Sequence, residues 1–417
     1  MIDIQLLRDE TERVKEGIKR KGTDPALVDK FLKVDEEWRK KTAKLEEIRS
    51  EKKKLGKDDR DKAKELKEAE KELNESVDVL KKERLVILEE IPNLPADNVP
   101  LGKDDSENVV LREVGEPTKF DFEARDYMDV AKGLVSTERA APVSGARFGY
   151  LFGELPLLEF GLVKLAMDTL MPHGFTPVIP PVMIRPDVMR GMGKVKFIED
   201  GDAFYVGEDD MYMVGSAEHT IGPIHMNDVL EADELPKRYV GFSSCFRREA
   251  GSYGKDTRGI LRVHQFDKIE MFAFAHPEKS EEELQFLLAR QEELVQKLEM
   301  PYRVMEICTG DMGFGDYRQY DVETWLPGQG KYRETNSCSN TTDFQARGIN
   351  AKFKRGVGAD GKPQTEYVHM LNATAFAIGR VLIAIIENYQ TAKGTIRVPK
   401  VLQDYVGKDE IVPPEKI

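Results

Sequence analysis

The stretch FRREAGSYGKDTRGILRVHQFDKIE, residues 246–270, decides how this chain is read: two extended segments flank a polar, glycine-bearing loop. Successive side chains on a strand alternate faces, which puts Arg247 and Glu249 on one face of the first segment and Phe266 and Glu270 on one face of the second. Paired as an antiparallel hairpin, the segments offer one sheet surface with an arginine, two carboxylates and an aromatic ring. Such a surface suits a nucleotide beside a cationic group. An arginine grips phosphate in a fork, a ring stacks on a base, and a carboxylate holds an ammonium. The same spacing fits a surface hairpin with ordinary charge pairs, so the rest of the chain has to decide.

Upstream lies a long amphipathic arm. Leu27, Phe31, Val34, Trp38, Lys41, Leu45, Ile48, Lys52 and Leu55 alternate in steps of four and three, a heptad seam interrupted by two lysines. After a turn signal at Gly56 to Asp59, Leu66, Leu73, Leu80 and Ile87 recur every seven residues, with Val77 and Ile91 at the alternate seam positions. Two helices of about 30 residues, each roughly 45 Å long at 1.5 Å per residue, are expected to fold back as an antiparallel coiled coil spanning about 27–91. Pro92 and Pro95 stop the second helix. A dimerisation coiled coil is the commoner use of such a pattern.

Charge distribution favours another use. The chain of 417 residues carries a net charge of −13, yet Phe31–Glu90 is neutral, with 18 basic and 18 acidic residues. Within it, Arg39–Lys64 holds 12 basic against 6 acidic residues. A basic end on an acidic protein still steers toward phosphates, so the arm reads as a rod that reaches a polyanion.

The length leaves room for two or three domains with a substantial core. No apolar run reaches the roughly 18 residues of a membrane span, and the richest, Leu371–Ile386, contains Arg380. The N-terminus MIDIQLLRDE has acids where a secretory signal has a basic start and an apolar core, which implies the cytoplasm. Cys245, Cys308 and Cys338 show no paired spacing, so neither a disulfide framework nor a cysteine zinc site is expected. From about Asp105 the pattern turns to short β-rich segments with occasional helices such as Glu281–Leu298, an α+β domain on an antiparallel sheet. A Walker-like run from Gly356 to Lys362 fails because Pro363 stands where Ser or Thr would take magnesium. It reads as a glycine-rich hairpin turn.

Six features taken in order resemble the seryl-tRNA synthetases of the common, non-zinc type, within the class II aminoacyl-tRNA synthetases. They are the arm, IPNLP at 91–95, SGARF at 144–148, the 246–270 run, SCSNTTDFQAR at 337–347 and LNATAFAIGR at 371–380. The resemblance covers essentially the whole chain. It implies a class II catalytic domain at 105–417, an antiparallel sheet flanked by helices, behind a tRNA-binding N-terminal domain at 1–104. It also implies a homodimer, with the first class motif near Pro180 and Pro181 at its interface, and an arm that binds serine tRNA. Selenocysteine tRNA is a second candidate acceptor. Between Leu55 and Leu66 the arm is shorter than in many bacterial relatives.

The implied reaction joins serine to ATP, releasing pyrophosphate, then moves the seryl group to the terminal ribose of tRNA. By resemblance Arg247 bridges the serine carboxylate and the α-phosphate, Glu249 holds the adenine amino group, Phe266 stacks on the base and Arg380 meets the γ-phosphate. The implied ATP site also takes in Arg248, Val263, His264, Gln265 and the run Glu334, Thr335, Asn336 and Ser337. Of these, Glu334 and Ser337 would hold magnesium; no zinc is implied. His264 is expected to hydrogen-bond beside ATP, because the serine carboxylate is already ionised and needs no base. Serine itself would be met by Ser216, Ala217, Glu218, Arg247, Glu270, Asn372 and Thr374. Three plain alternatives stand beside these roles: a structural ion pair for Arg380, a surface strand for Thr335 and Asn336, and packing for the cysteines. The family's T-x-E signature appears as Ser216-Ala217-Glu218, Arg248 stands where a small residue is frequent, and Ala373 and Ala375 replace glycines. A paralogue that loads an amino acid onto another acceptor is the alternative activity; such proteins would lack the arm.

Overall fold

The computed structural model describes residues 1–56, 59–251, 258–358, 361 and 363–414. Residues 57 and 58 of the expected arm turn, 252–257 of the hairpin loop, and 359, 360 and 362 of the Walker-like run lie outside that description. The chain forms two compact units, Met1–Pro95 and Ala96–Ile417.

In the first unit two short helices, α1 (Ile4–Asp9) and α2 (Thr11–Arg20), precede the arm helices α3 (Ala26–Lys54) and α4 (Arg60–Glu89). Asp24 accepts the backbone N–H of Ala26 at the start of α3. The arm is antiparallel, since its cross-helix partners run in opposite directions: Asp35 with Arg84, Lys41 with Ser76, Arg49 with Asn74 and Lys52 with Glu70. The seam lysines thus pair with polar partners on α4. One charge departs from the expected pattern. Asp35, beside seam residue Val34, is completely buried and bonds Arg8 and Arg84 at 2.8 and 2.7 Å, with Arg39 at 3.1 Å. Burial pushes its pKa up, but Arg8 and Arg84 outweigh that and hold it below the usual range.

The second unit is built on an eight-stranded sheet. Its strands are β1 (Val109–Val114), β2 (Phe175–Val178), β3 (Lys237–Phe246), β4 (Gln265–Ala275), β5 (Tyr302–Glu306), β6 (Arg318–Leu326), β7 (Lys331–Asn340) and β8 (His369–Ala377). They lie in the order β1-β5-β6-β7-β8-β4-β3-β2, antiparallel throughout except for β2 beside β3. Helices α5 (Leu155–Leu170), α6 (Ser280–Lys297) and α7 (Ile378–Asn388) contribute to the main apolar cluster together with Ile269, Met271, Leu371 and Ala373. Buried Gln291 of α6 donates to the carbonyls of Ser337 and Thr374, at 2.8 and 2.9 Å, tying β7 to β8. The residues flanking the Walker-like run, Lys352–Val357 and Pro363–Tyr367, pair as an antiparallel hairpin. No helix among the described residues is long and apolar enough to cross a membrane.

Candidate active site

One face of the sheet is left to a cavity of about 410 Å³. Phe266 and Lys268 of β4, Ser337 and Ser339 of β7, and Asn372 and Thr374 of β8 line it, each pair two apart as alternation requires. The segments around 246–270 pair as expected, Phe266 opposite Cys245 and Gln265 opposite Phe246.

Arg247 and Glu249 reach the cavity by a different route from the one read in the sequence. Strand β3 ends at Phe246, so neither belongs to it. The Arg247 backbone N–H donates to the His264 carbonyl at 3.0 Å, and its Nε donates to the Gly215 carbonyl at 3.0 Å. These bonds set the guanidinium 5.4 Å from the centre of the Phe266 ring. Glu249 has a φ of +54°, an uncommon left-handed turn for a residue with a side chain, and pairs with Arg262 at 2.6 Å. A turn, and no strand face, brings the two residues together.

Two β-bulges set the other wall. In the β6–β7 pairing Val322 faces Asn336 and Glu323 faces Glu334, leaving Thr335 as an extra residue. Alternation is broken there, and Glu334 lines the cavity together with Thr335, Ser337 and Ser339. In the β4–β8 pairing Ala375 is the extra residue, after which Ala377 and the α7 residues Gly379 and Arg380 line the cavity. Arg380 meets the Glu334 carboxylate at 3.0 Å, though with 30% of its side chain exposed. Burial would raise the Glu334 pKa, but Arg380, Arg247 and Lys268 hold it below the usual range. Nearby Asp321 is pushed well upward by burial and by the charge of Glu334.

Deeper in the cavity, two buried carboxylates face lysines. Glu270 meets Lys268 at 2.5 Å, and Lys268 also donates to Ser216 Oγ at 3.2 Å. Glu218 meets Lys194 at 2.8 Å and accepts from the Gln345 amide at 2.8 Å. Burial raises the Glu270 pKa, whereas at Glu218 the same burial is overcome by Lys194 and Gln345, leaving it at about 2. His219, also buried, is pushed well below its ordinary value by burial and by Lys194, and its Nδ1 accepts the Gly215 N–H. A neutral imidazole there supports the carbonyl partner of Arg247.

The cavity wall includes Arg247, Glu249, Val263, Phe266, Glu334, Thr335, Ser337, Arg380, Glu218, Asn372 and Thr374 from the expected set. Ser216 and Glu270 sit behind the wall, joined to it through Lys268. Ala217 is packed in a separate apolar cluster with Ile221 and Phe272. Arg248 turns away: its Nε donates to the Ala203 carbonyl and its guanidinium lies 4.3 Å from the Phe204 ring centre. His264 precedes β4, and its Nδ1 lies 2.9 Å from the Arg247 carbonyl. Gln265 lines an adjoining hollow with Phe148 and Glu159. Asn336 is buried and donates to the Thr374 and Ala375 carbonyls, stitching β7 to β8. Neither it nor Thr335 is a surface residue.

Lys194, Lys268, Arg262 and the acidic residues Asp311 and Asp316 line the cavity without having been singled out. Lys268 was within reach of strand alternation, midway between Phe266 and Glu270. Lys194 follows Gly193 in a loop, and no periodicity marks it.

Comparison with known proteins places the chain in a family. The seryl-tRNA synthetase N-terminal domain matches residues 1–95, and the class II tRNA synthetase core domain (G, H, P, S and T) matches residues 204–389. The serine–tRNA ligase of Thermobifida fusca is 42% identical, over 99% of both chains. The seryl-tRNA synthetase of Pyrococcus horikoshii, solved with ATP, is 40% identical with a TM-score of 0.91 over the whole of both chains. The cytoplasmic serine–tRNA ligase of Naegleria fowleri, solved with AMP, is 34% identical with a TM-score of 0.86, over 99% of this chain and 98% of that one. The chain belongs to the seryl-tRNA synthetase family of class II aminoacyl-tRNA synthetases.

Proposed function

We propose that the cavity on the sheet is where seryl-adenylate is made, with the residues named above in separate roles. The chain is a serine–tRNA ligase: it activates serine with ATP and transfers it to tRNA. The observation that supports the residue-level reading is the convergence of Arg247, Phe266, Glu334 and Arg380 on one cavity from three parts of the sequence. Phe266 offers its ring to adenine and Glu249 its carboxylate to the adenine amino group. Arg247 bridges the serine carboxylate and the α-phosphate, where charge builds during in-line attack, and Arg380 holds the γ-phosphate from the opposite wall. The serine carboxylate is the nucleophile, and pyrophosphate leaves. Asn372 and Thr374 offer hydrogen bonds to serine, and Glu218 receives its ammonium. A pocket that bonds a substrate hydroxyl rejects alanine by roughly 10⁴-fold, because its own groups are left unpaired.

The donor set fits magnesium. Glu334 and Ser337 present hard oxygen ligands on one wall. Bound there with ATP, magnesium would neutralise phosphate charge.

The arm is read as the tRNA-binding element on its local basic excess. A homodimer is supported by apolar side chains open to solvent on and after α5: Leu157, Phe160 and Ile179 are 46%, 63% and 84% exposed. The cytoplasm is the proposed location.

Serine-dependent ATP–pyrophosphate exchange followed by charging of serine tRNA tests the reading. Exchange that does not respond to serine refutes it, and exchange without charging points to another acceptor. Light scattering at the exclusion peak distinguishes dimer from monomer.

A further inference from the structure

Glu218 and Glu270 stand where an ammonium would be received, yet each already holds one. Their lysines are anchored differently. Lys268 projects from within β4, is 9% exposed, and shares its Nζ between Glu270 and Ser216 Oγ. Lys194 lies outside any strand, directly after Gly193 with its φ of +72°, and 26% of its side chain is exposed. Its Nζ sits 2.8 Å from Glu218 Oε1. The same oxygen accepts from Gln345 at 2.8 Å and lies 3.4 Å from the Asn372 amide, neutral donors that remain whichever cation is present. A lysine ammonium is a compact point charge on a flexible stem, chemically the same group as the α-ammonium of an amino acid.

We infer that Lys194 is an internal stand-in for the α-ammonium of serine: it occupies Glu218 in the empty site and is displaced when the amino acid binds. Lys268 stays in place, holding Glu270 and Ser216 together behind the wall. The exchange keeps a buried carboxylate supplied with a counterion at every stage, which removes the cost of leaving it bare. It also selects by chemistry. A hydroxy acid such as glycerate carries no ammonium and cannot replace Lys194, so it meets a closed ion pair.

This inference rests on the cavity being the serine-activation site, and its test separates the two. In full-length enzyme, Lys194→Met removes the competitor while keeping an unbranched stem. Serine KM in ATP–pyrophosphate exchange is expected to fall about fivefold, the scale of one partly exposed ion pair, with the ATP KM unmoved. A serine KM that is unchanged or higher overturns the stand-in role. In the unaltered enzyme bound to a non-hydrolysable seryl-adenylate analogue, Lys194 Nζ should lie beyond roughly 4 Å from Glu218, with the ligand ammonium in its place. A retained Lys194–Glu218 contact overturns it as well. Absence of serine-dependent exchange in the unaltered enzyme refutes the site assignment itself, a separate outcome.

Discussion

Arg380 Nη1 lies 3.0 Å from Glu334 twice over, once at the carboxylate and once at the backbone carbonyl. Two contacts on one residue fix the guanidinium on the wall before any nucleotide arrives. Arg380→Ala should therefore lower kcat/KM for ATP in exchange by roughly 10²-fold or more, as removal of a preorganised charge does. Thermal stability should barely change, because nearly half of the Glu334 side chain is exposed and such pairs contribute little. Arg380→Lys should restore little, since an ammonium lacks the planar fork that meets phosphate oxygens two at a time.

Arg247 is held by its backbone bond to His264, which any side chain leaves in place, and by Nε to Gly215, which needs the guanidinium. Arg247→Ala is expected to abolish adenylate formation with the circular dichroism spectrum intact. Retained exchange would refute its assignment to the α-phosphate.

Asp35 joins α1, α3 and α4 through Arg8, Arg39 and Arg84, completely out of water. Removing its charge strands those arginines in a partly buried pocket. Asp35→Ala should destabilise the N-terminal unit by about 3 kcal/mol, seen as an earlier calorimetric transition. Charging should fall with it and exchange should persist. A single unshifted transition would show that the three arginines relax into solvent without cost.

Glu159 of α5 faces Asp267 of β4, and burial together with that neighbour pushes its pKa up to about 8. An unfolded glutamate titrates near 4.5, so in the window between about 4.5 and 8 the native state binds more protons than the unfolded chain. Stability from this group is complete below that window and is lost as pH rises through it. Glu159→Gln should flatten the fall and raise Tm above pH 8 by on the order of 2 °C. Parallel Tm–pH curves for the two proteins would rule out the raised pKa of Glu159.

Removing Arg39–Lys64 takes away the locally basic stretch of the arm, with the second half of α3 and the start of α4. Exchange should continue while charging of serine tRNA falls steeply, with the remaining charging less sensitive to salt. Equal loss of both activities would contradict the assignment of tRNA contact to the arm.

What could be read from the sequence was whatever obeys a period. The heptads gave α3 and α4 almost to the residue, and alternation gave β4 with Phe266 and Glu270 on one side. Asp35 escaped because a charge next to a seam position ordinarily faces water; its burial depends on Arg8, distant in sequence and unmarked by any repeat. Arg247 and Glu249 were correctly grouped for a wrong local reason, since a left-handed turn and no strand carries them. Asn336, counted in the ATP site by resemblance, is instead buried against β8, while Glu334 and Thr335 both line the cavity, because an inserted residue resets alternation without leaving a compositional trace. Lys194 belongs to a loop, where position comes from tertiary packing alone.

The extra residues at Thr335 and Ala375 make the catalytic wall sensitive to length more than to chemistry. Deleting a paired residue beside either one, such as Asn336 or Phe376, would shift the register of every following position in its strand and aim the opposite set of side chains at the cavity, whereas loss of the extra residue itself would only flatten the bulge. At β7 such a slip would bring Cys338 toward the space now held by hydroxyls. Laboratory evolution of this enzyme should accordingly accept many exchanges along β7 and β8 but almost no one-residue gaps within them, and surviving gaps should occur in compensating pairs.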